Sequence, residues 1–139
     1  MQDPYQISNF KVQIYGVKQK VDQREIANRF LDLAVGIIRI SEKISKSPVG
    51  RHIASQITRS VTSAGANYQE TCGAESRKDF IHKFQVVLKE LRESAYWMKL
   101  IIRAELIPPE VSCPLMNEVE ELTKIIAKSV VTAKSKGKI

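Results

Sequence analysis

Cysteine is scarce, with Cys72 and Cys113 as the only pair. They lie too far apart for a CxxC motif, and two thiols cannot furnish a four-ligand zinc site alone. Free thiols in a reducing cytoplasm are therefore expected, with no cofactor and no metal. Glycine and proline are also few, 6 and 5 residues, and most stand where helices should begin or end. That distribution argues against a sandwich or barrel, which needs many turns. Long apolar runs are missing. Nothing approaches the roughly 18 residues that span a bilayer, and the opening MQDPYQISNF lacks the charged start and apolar stretch of a signal peptide. A soluble cytoplasmic chain with no membrane partner is expected.

Motifs that carry chemistry are missing too. There is no GxxxxGK[ST] to cradle nucleotide phosphates and no GxGxxG after a strand. Ser60, Ser63 and Ser94 have no triad context, and helix-borne hydroxyls usually bond backbone or pack. His52 and His82 are not flanked at ligand spacing, which favours solvated or capping histidines. Glu90 and Glu93 lack the Glu-x-x-His pattern of a di-iron bundle. The sequence points away from an enzyme.

What is present is helix. A chain of 139 residues, 43% hydrophobic and 27% charged, suits one core, and a chain of this size buries roughly 68% of its unfolded surface. The net charge of +7 favours a polyanionic partner, RNA or DNA, or an acidic protein.

Residues 1–21 read as a non-helical arm. Phe10, Val12 and Ile14 alternate with Lys11, Gln13 and Tyr15, the period of one extended segment that lies across the bundle or a neighbouring subunit, or stays loosely ordered. Asp22 with Glu25 has the form of a capping box opening a first helix over 23–44, whose broad apolar stripe includes Ile26, Phe30, Leu31, Leu33, Ile37, Ile38, Ile40 and Ile44 and is taken as core. Gly36 within that stripe suggests a close approach by another backbone. Ser47-Pro48 starts a second helix running to about Cys72. Its small residues Ser60, Ser63, Ala64, Gly65 and Ala66 keep it thin, for contact with the third helix or with another subunit. Gly73 is expected to end it in the left-handed conformation. Pro108-Pro109 breaks the third helix and Pro114 opens the fourth. The tail over 134–139 is basic and reads as flexible. The fold expected is an all-α, up-down-up-down antiparallel four-helix bundle over 22–133 with a short non-helical N-terminal arm.

The third helix, about Arg77 to Ala104 after a Ser76 cap, carries the patterned charge. On an ideal wheel Phe80, Phe84, Val87, Leu88, Leu91, Ala95, Met98 and Ile102 form the core side. Lys78, His82, Gln85, Lys89, Arg92, Tyr96, Lys99 and Arg103 share another line, with Asp79, Glu90 and Glu93 on its flank. Five cations over this length span nearly 40 Å, enough to follow several phosphates. Two other readings stand beside that one. Lys89 and Glu93 can pair at i,i+4 on a merely solvated face, and sorted flanks suit a ring in which one subunit's basic edge meets the next one's acidic edge.

The stretch SVTSAGANYQETCGAESRKDFIHKFQVVLKELRESAYWMKLI resembles the signature of the bacterial four-helix-bundle proteins named after the intervening sequences of 23S ribosomal RNA genes, also called the S23 family. The resemblance is carried by Ser63, Gly65, Ala66, Asn67 and Glu70, by the run Ser76 to Ile81, and by Lys89, Glu90, Glu93, Tyr96 and Trp97. It implies a bundle that assembles into a homopentameric ring, and it supplies no enzyme activity. Members also resemble the accessory variability proteins of diversity-generating retroelements, basic pentamers that work with a reverse transcriptase and its RNA. Nucleic-acid or ribonucleoprotein association is the function this implies, through Lys78, Lys89, Arg92, Lys99 and Arg103, with Arg51 and Arg59 as further candidates. The alternative is a protein-interaction adaptor whose charges serve ring assembly and partner docking. Asn67, Glu70, Arg77, Glu90, Glu93 and Tyr96 are expected to form a structural polar network between helices or subunits, since a buried carboxylate is tolerated only when paired.

Overall fold

Buried residues recur along the chain at alternating steps of three and four. In α1 (Gln23–Ile44) they are Ile26, Phe30, Leu33, Ile37, Ile40 and Ile44, and in α3 (Arg77–Arg103) the line runs Phe80, Phe84, Val87, Leu91, Ser94, Met98, Ile101. A mean spacing of 3.5 is the period of helices that wind gently around each other, as bundles do. It also explains two shifts from the ideal wheel: Ser94 and Ile101 enter the core, while Ala95 and Ile102 stay only partly buried. The computed structural model describes residues 23–136, which form these two helices together with α2 (Pro48–Glu70) and α4 (Pro109–Lys136). The expected arm over 1–21, the Asp22 cap and residues 137–139 of the expected tail lie outside the described residues.

The starts of α2 and α3 follow their sequence signals. Ser47 Oγ accepts from the Gly50 N–H at 3.0 Å with Pro48 in the first turn, and Ser76 Oγ accepts from the Asp79 N–H at 3.0 Å. Gly50 is required by packing, since a Cβ there would stand 1.7 Å from the Ile44 carbonyl oxygen. Three expectations are corrected. Gly73 does not go left-handed; α2 ends through a 3-10 turn, Thr71–Gly73, whose Thr71 N–H and hydroxyl bond back onto the last turn of the helix. Gly36 admits a side chain rather than a backbone, for Leu115 of α4 lies where its Cβ would be. And α4 opens at Pro109, with Pro114 inside the helix. Pro109 loses no helical bond in the first turn, and the Pro108 carbonyl accepts from Val111 and Ser112 at 3.0 and 3.1 Å. Pro114 deprives only the carbonyl of Glu110, an exposed residue that water reaches. The helix then runs on through Lys134 to Lys136, so the first part of the expected tail is helical.

Contacts between neighbouring helices run in opposite chain order, which makes each pair antiparallel. Ser41 meets Thr58 and Phe30 stacks on Tyr68 between α1 and α2; Ser60 meets Ser94 and Tyr68 meets Phe84 between α2 and α3. Arg77, at the start of α3, donates to the Ala133 carbonyl near the end of α4 at 3.2 Å, filling one of the acceptors a helix end leaves open. The fourth side differs. α1 and α4 touch far less than the other adjacent pairs, joined by Leu115 over Gly36 and by the Arg29 guanidinium on the Glu118 carboxylate at 2.5 and 3.0 Å. That bond is the main reason the Arg29 pKa lies above its ordinary value. Among the described residues no helix is long and apolar enough to cross a membrane.

Candidate nucleic-acid interface

The eight residues of the α3 line, Lys78, His82, Gln85, Lys89, Arg92, Tyr96, Lys99 and Arg103, are all exposed. They keep the same three-and-four spacing as the core line, so they stay on one outward face along about 38 Å of helix. Among the described residues Lys78, Lys89, Arg92, Lys99 and Arg103 make no ion pair, whereas Arg29, Arg59, Lys83 and Lys124 do. For Lys89 the reason lies on the flank. Glu93 turns toward α2 and takes a hydrogen bond from Arg59 Nη2, while Glu90 accepts from Arg59 Nη1 at 3.4 Å. The i,i+4 pair of Lys89 with Glu93 does not form, because the carboxylate is already held by a guanidinium fork on the neighbouring helix. That bond from Glu93, first among its causes, raises the Arg59 pKa above its ordinary value.

Arg59 therefore differs from the other candidate cations: its charge is matched within the chain. Arg51 is exposed and unpaired among the described residues, next to His52, whose ring meets Trp97 at the end of the bundle that carries Lys99 and Arg103. Asp79 serves the helix start, accepting the Glu75 N–H at 3.0 Å and pairing with Lys83 at 3.3 Å. The backbone bond from Glu75, ahead of Lys83, holds its carboxyl below the usual aspartate value.

Within one chain the expected polar network separates into unconnected pieces. Glu90 and Glu93 meet Arg59 rather than Lys89, Arg77 or Tyr96. Asn67 Nδ2 donates to the Ser63 carbonyl at 2.8 Å within α2, Arg77 is committed to α4, and Glu70 and Tyr96 are exposed. Polar type marks such residues in a sequence, but which of them meet depends on how far each helix is rotated.

Lys134 joins the site unexpectedly. With Gln85, Leu88, Lys89, Arg92 and Val130 it lines a groove of about 440 Å³ between α3 and α4. The signal was available: the apolar spacing of α4 continues through Val130 to Ala133, which keeps the helix going into KSK. On another side, Asp32, Glu118 and Glu121 line an acidic cleft of about 500 Å³ between α1 and α4. A third cleft, about 440 Å³ and apolar, runs between α1 and α2 along Ala34, Gly65 and Ala66, while Ser60 and Ala64 face the core. The thin part of α2 thus faces the core on one side and lines an outer cleft on the other. Beside that cleft Leu31, Val35 and Ile38 are 61%, 45% and 45% exposed. The stripe of α1 is too broad for one core, and Leu31 and Ile38 are ridge rather than interior. Among the described residues, no three of His, Cys, Asp and Glu gather closely enough to hold a metal ion.

Residues 22–128 match the family described as 23S rRNA-intervening sequence protein. A protein with unknown function from the S23 ribosomal protein family of Bacteroides thetaiotaomicron VPI-5482 has a similar crystal structure, with a TM-score of 0.72 at 33% sequence identity. The match covers 78% of this chain and 97% of that one. No curated protein matches this chain.

Proposed function

The chain belongs to the 23S rRNA-intervening sequence protein family, and from that premise we propose that it is a non-enzymatic, homo-oligomeric bundle that associates with nucleic acid or ribonucleoprotein through the outer face of α3. The observation that carries this reading is the row of five exposed cations without acidic partners, Lys78, Lys89, Arg92, Lys99 and Arg103. Cations already paired within a chain have little left to gain from phosphate; these have everything to gain. Lys134 widens the row into a groove. Contacts of this kind are to the backbone of the polymer, so binding is tolerant of sequence and sensitive to salt. RNA and DNA are both candidate partners, and a reverse transcriptase or another protein would join through the assembled ring. A homopentamer is the assembly that family resemblance implies, and the exposed ridge of α1 supports self-association.

The test is affinity for RNA and for DNA across a salt series, comparing the parent with a Lys89→Ala/Arg92→Ala/Lys99→Ala variant. Loss of three phosphate contacts flattens the slope of log affinity against log salt by about 2 to 3. An unchanged slope rejects this face. The second reading, an adaptor whose charges close the ring and dock a protein, is favoured by the sorting of charge, since Asp32 lines a cleft between α1 and α4 on a different side from the basic groove. Capture of an acidic partner that survives nuclease treatment supports it.

A further inference from the structure

Tyr96 interrupts the cation row. It is a large aromatic, 59% exposed, with Arg92 one turn before it and Lys99 one turn after it on the same face. The phenol makes no hydrogen bond among the described residues, so no polar network within the chain holds it. Its ring is nonetheless positioned. Tyr96 meets Trp97 edge-on at 5.0 Å and 76°, and the partly buried Trp97 meets His52 edge-on at 5.9 Å and 83°. An exposed aromatic ring held edge-on against a neighbouring ring and bordered by cations is the arrangement on which a nucleobase stacks while its flanking phosphates rest on charge.

We infer that Tyr96 is a stacking platform for an unpaired base, and that the preferred partner is single-stranded nucleic acid rather than duplex. This rests on the reading of α3 as the phosphate-tracking face. Bases inside a duplex already stack on one another and offer the tyrosine no free π-face, so a duplex can use only the cations. A single strand uses both. Because every base has a π-face, the preference concerns strandedness more than sequence.

The experiment titrates the full chain with single-stranded RNA, single-stranded DNA and duplex of equal length at one salt concentration, for the parent, Tyr96→Phe and Tyr96→Ala. Binding is followed by anisotropy and by the emission of Trp97, the one tryptophan in the chain. The expected result is tighter binding of either single strand than of duplex. Tyr96→Ala should weaken single-strand binding about tenfold and leave duplex binding alone, while Tyr96→Phe keeps the parent affinity. Circular dichroism of the alanine variant should match the parent, since the side chain is mostly in water. Parental affinity in Tyr96→Ala, or equal affinity for duplex and single strands, overturns the inference while leaving the basic face intact if the triple alanine variant still loses binding. Absence of binding to any of the three polymers by the parent overturns both.

Discussion

Two hydroxyls lie deep between α2 and α3, where the surroundings are otherwise hydrocarbon. Ser60 and Ser94 are both fully buried; Ser94 Oγ lies within hydrogen-bond distance of both the Glu90 carbonyl, at 2.8 Å, and Ser60 Oγ, at 2.9 Å, and Ser60 Oγ donates to the Ile57 carbonyl at 3.2 Å. Either hydroxyl left alone keeps a backbone carbonyl to donate to, Glu90 for Ser94 and Ile57 for Ser60, and loses only the bond the two share. Ser60→Ala and Ser94→Ala should each lower unfolding free energy in urea by about 1 kcal/mol. The double variant should lose clearly less than their sum, since the two groups are one unit. At this scale the sequence is a partial guide. It offered Ser60 and Ser94 as unremarkable hydroxyls and Glu90 with Glu93 as network members, but it did not assign Arg59 to the carboxylates. Pairing depends on helix rotation and interhelical distance, and a single wheel contains neither.

For whole elements, the helix ends are the informative places. α3 stops in a pattern in which the Leu106 N–H bonds the Ile101 carbonyl at 3.2 Å and the Glu105 N–H bonds the Ile102 carbonyl at 3.1 Å. This double closure requires a left-handed residue between them, and Glu105 adopts it with φ 53°. Glycine would hold that conformation without the clash of a Cβ against its own carbonyl, so Glu105→Gly should raise stability by about 1 kcal/mol and the midpoint of thermal unfolding with it. Here a carboxylate stands where glycine is the usual signal, while Gly73, which looks like such a signal, stands in an ordinary turn with open space around its Cα. Ser47-Pro48 and Ser76 with Asp79 were readable because a cap needs only residues close in sequence. The choice between Pro109 and Pro114 was not local. It turns on burying Ile107 and Ser112 against the rest of the bundle.

In the whole molecule, charge and apolar surface are divided among different faces: cations on α3, carboxylates beside α1 and α4, hydrocarbon on the outside of α1. The ridge of Leu31, Val35 and Ile38 beside an apolar cleft is the part of the surface with most to gain from leaving water, and its occupant in a homo-oligomer is another copy of the chain. Leu31→Lys/Ile38→Lys should therefore reduce the mass seen by light scattering to that of the single chain while preserving helicity, and an unchanged mass would place the subunit contact elsewhere. The fold class and helix count were legible because they follow from period and punctuation. The ridge was not, because an apolar stripe does not say which of its edges meets a neighbouring helix and which stays on the surface. The sparse seam between α1 and α4 bears on how the chain reaches its shape. Since nearly all the binding between helices joins those adjacent in the chain, each newly made helix can settle on its predecessor by closing a loop of a few residues, and the two ends of the polypeptide need not search for each other. Such a molecule should assemble quickly and in order, beginning while its last helix is still being synthesised.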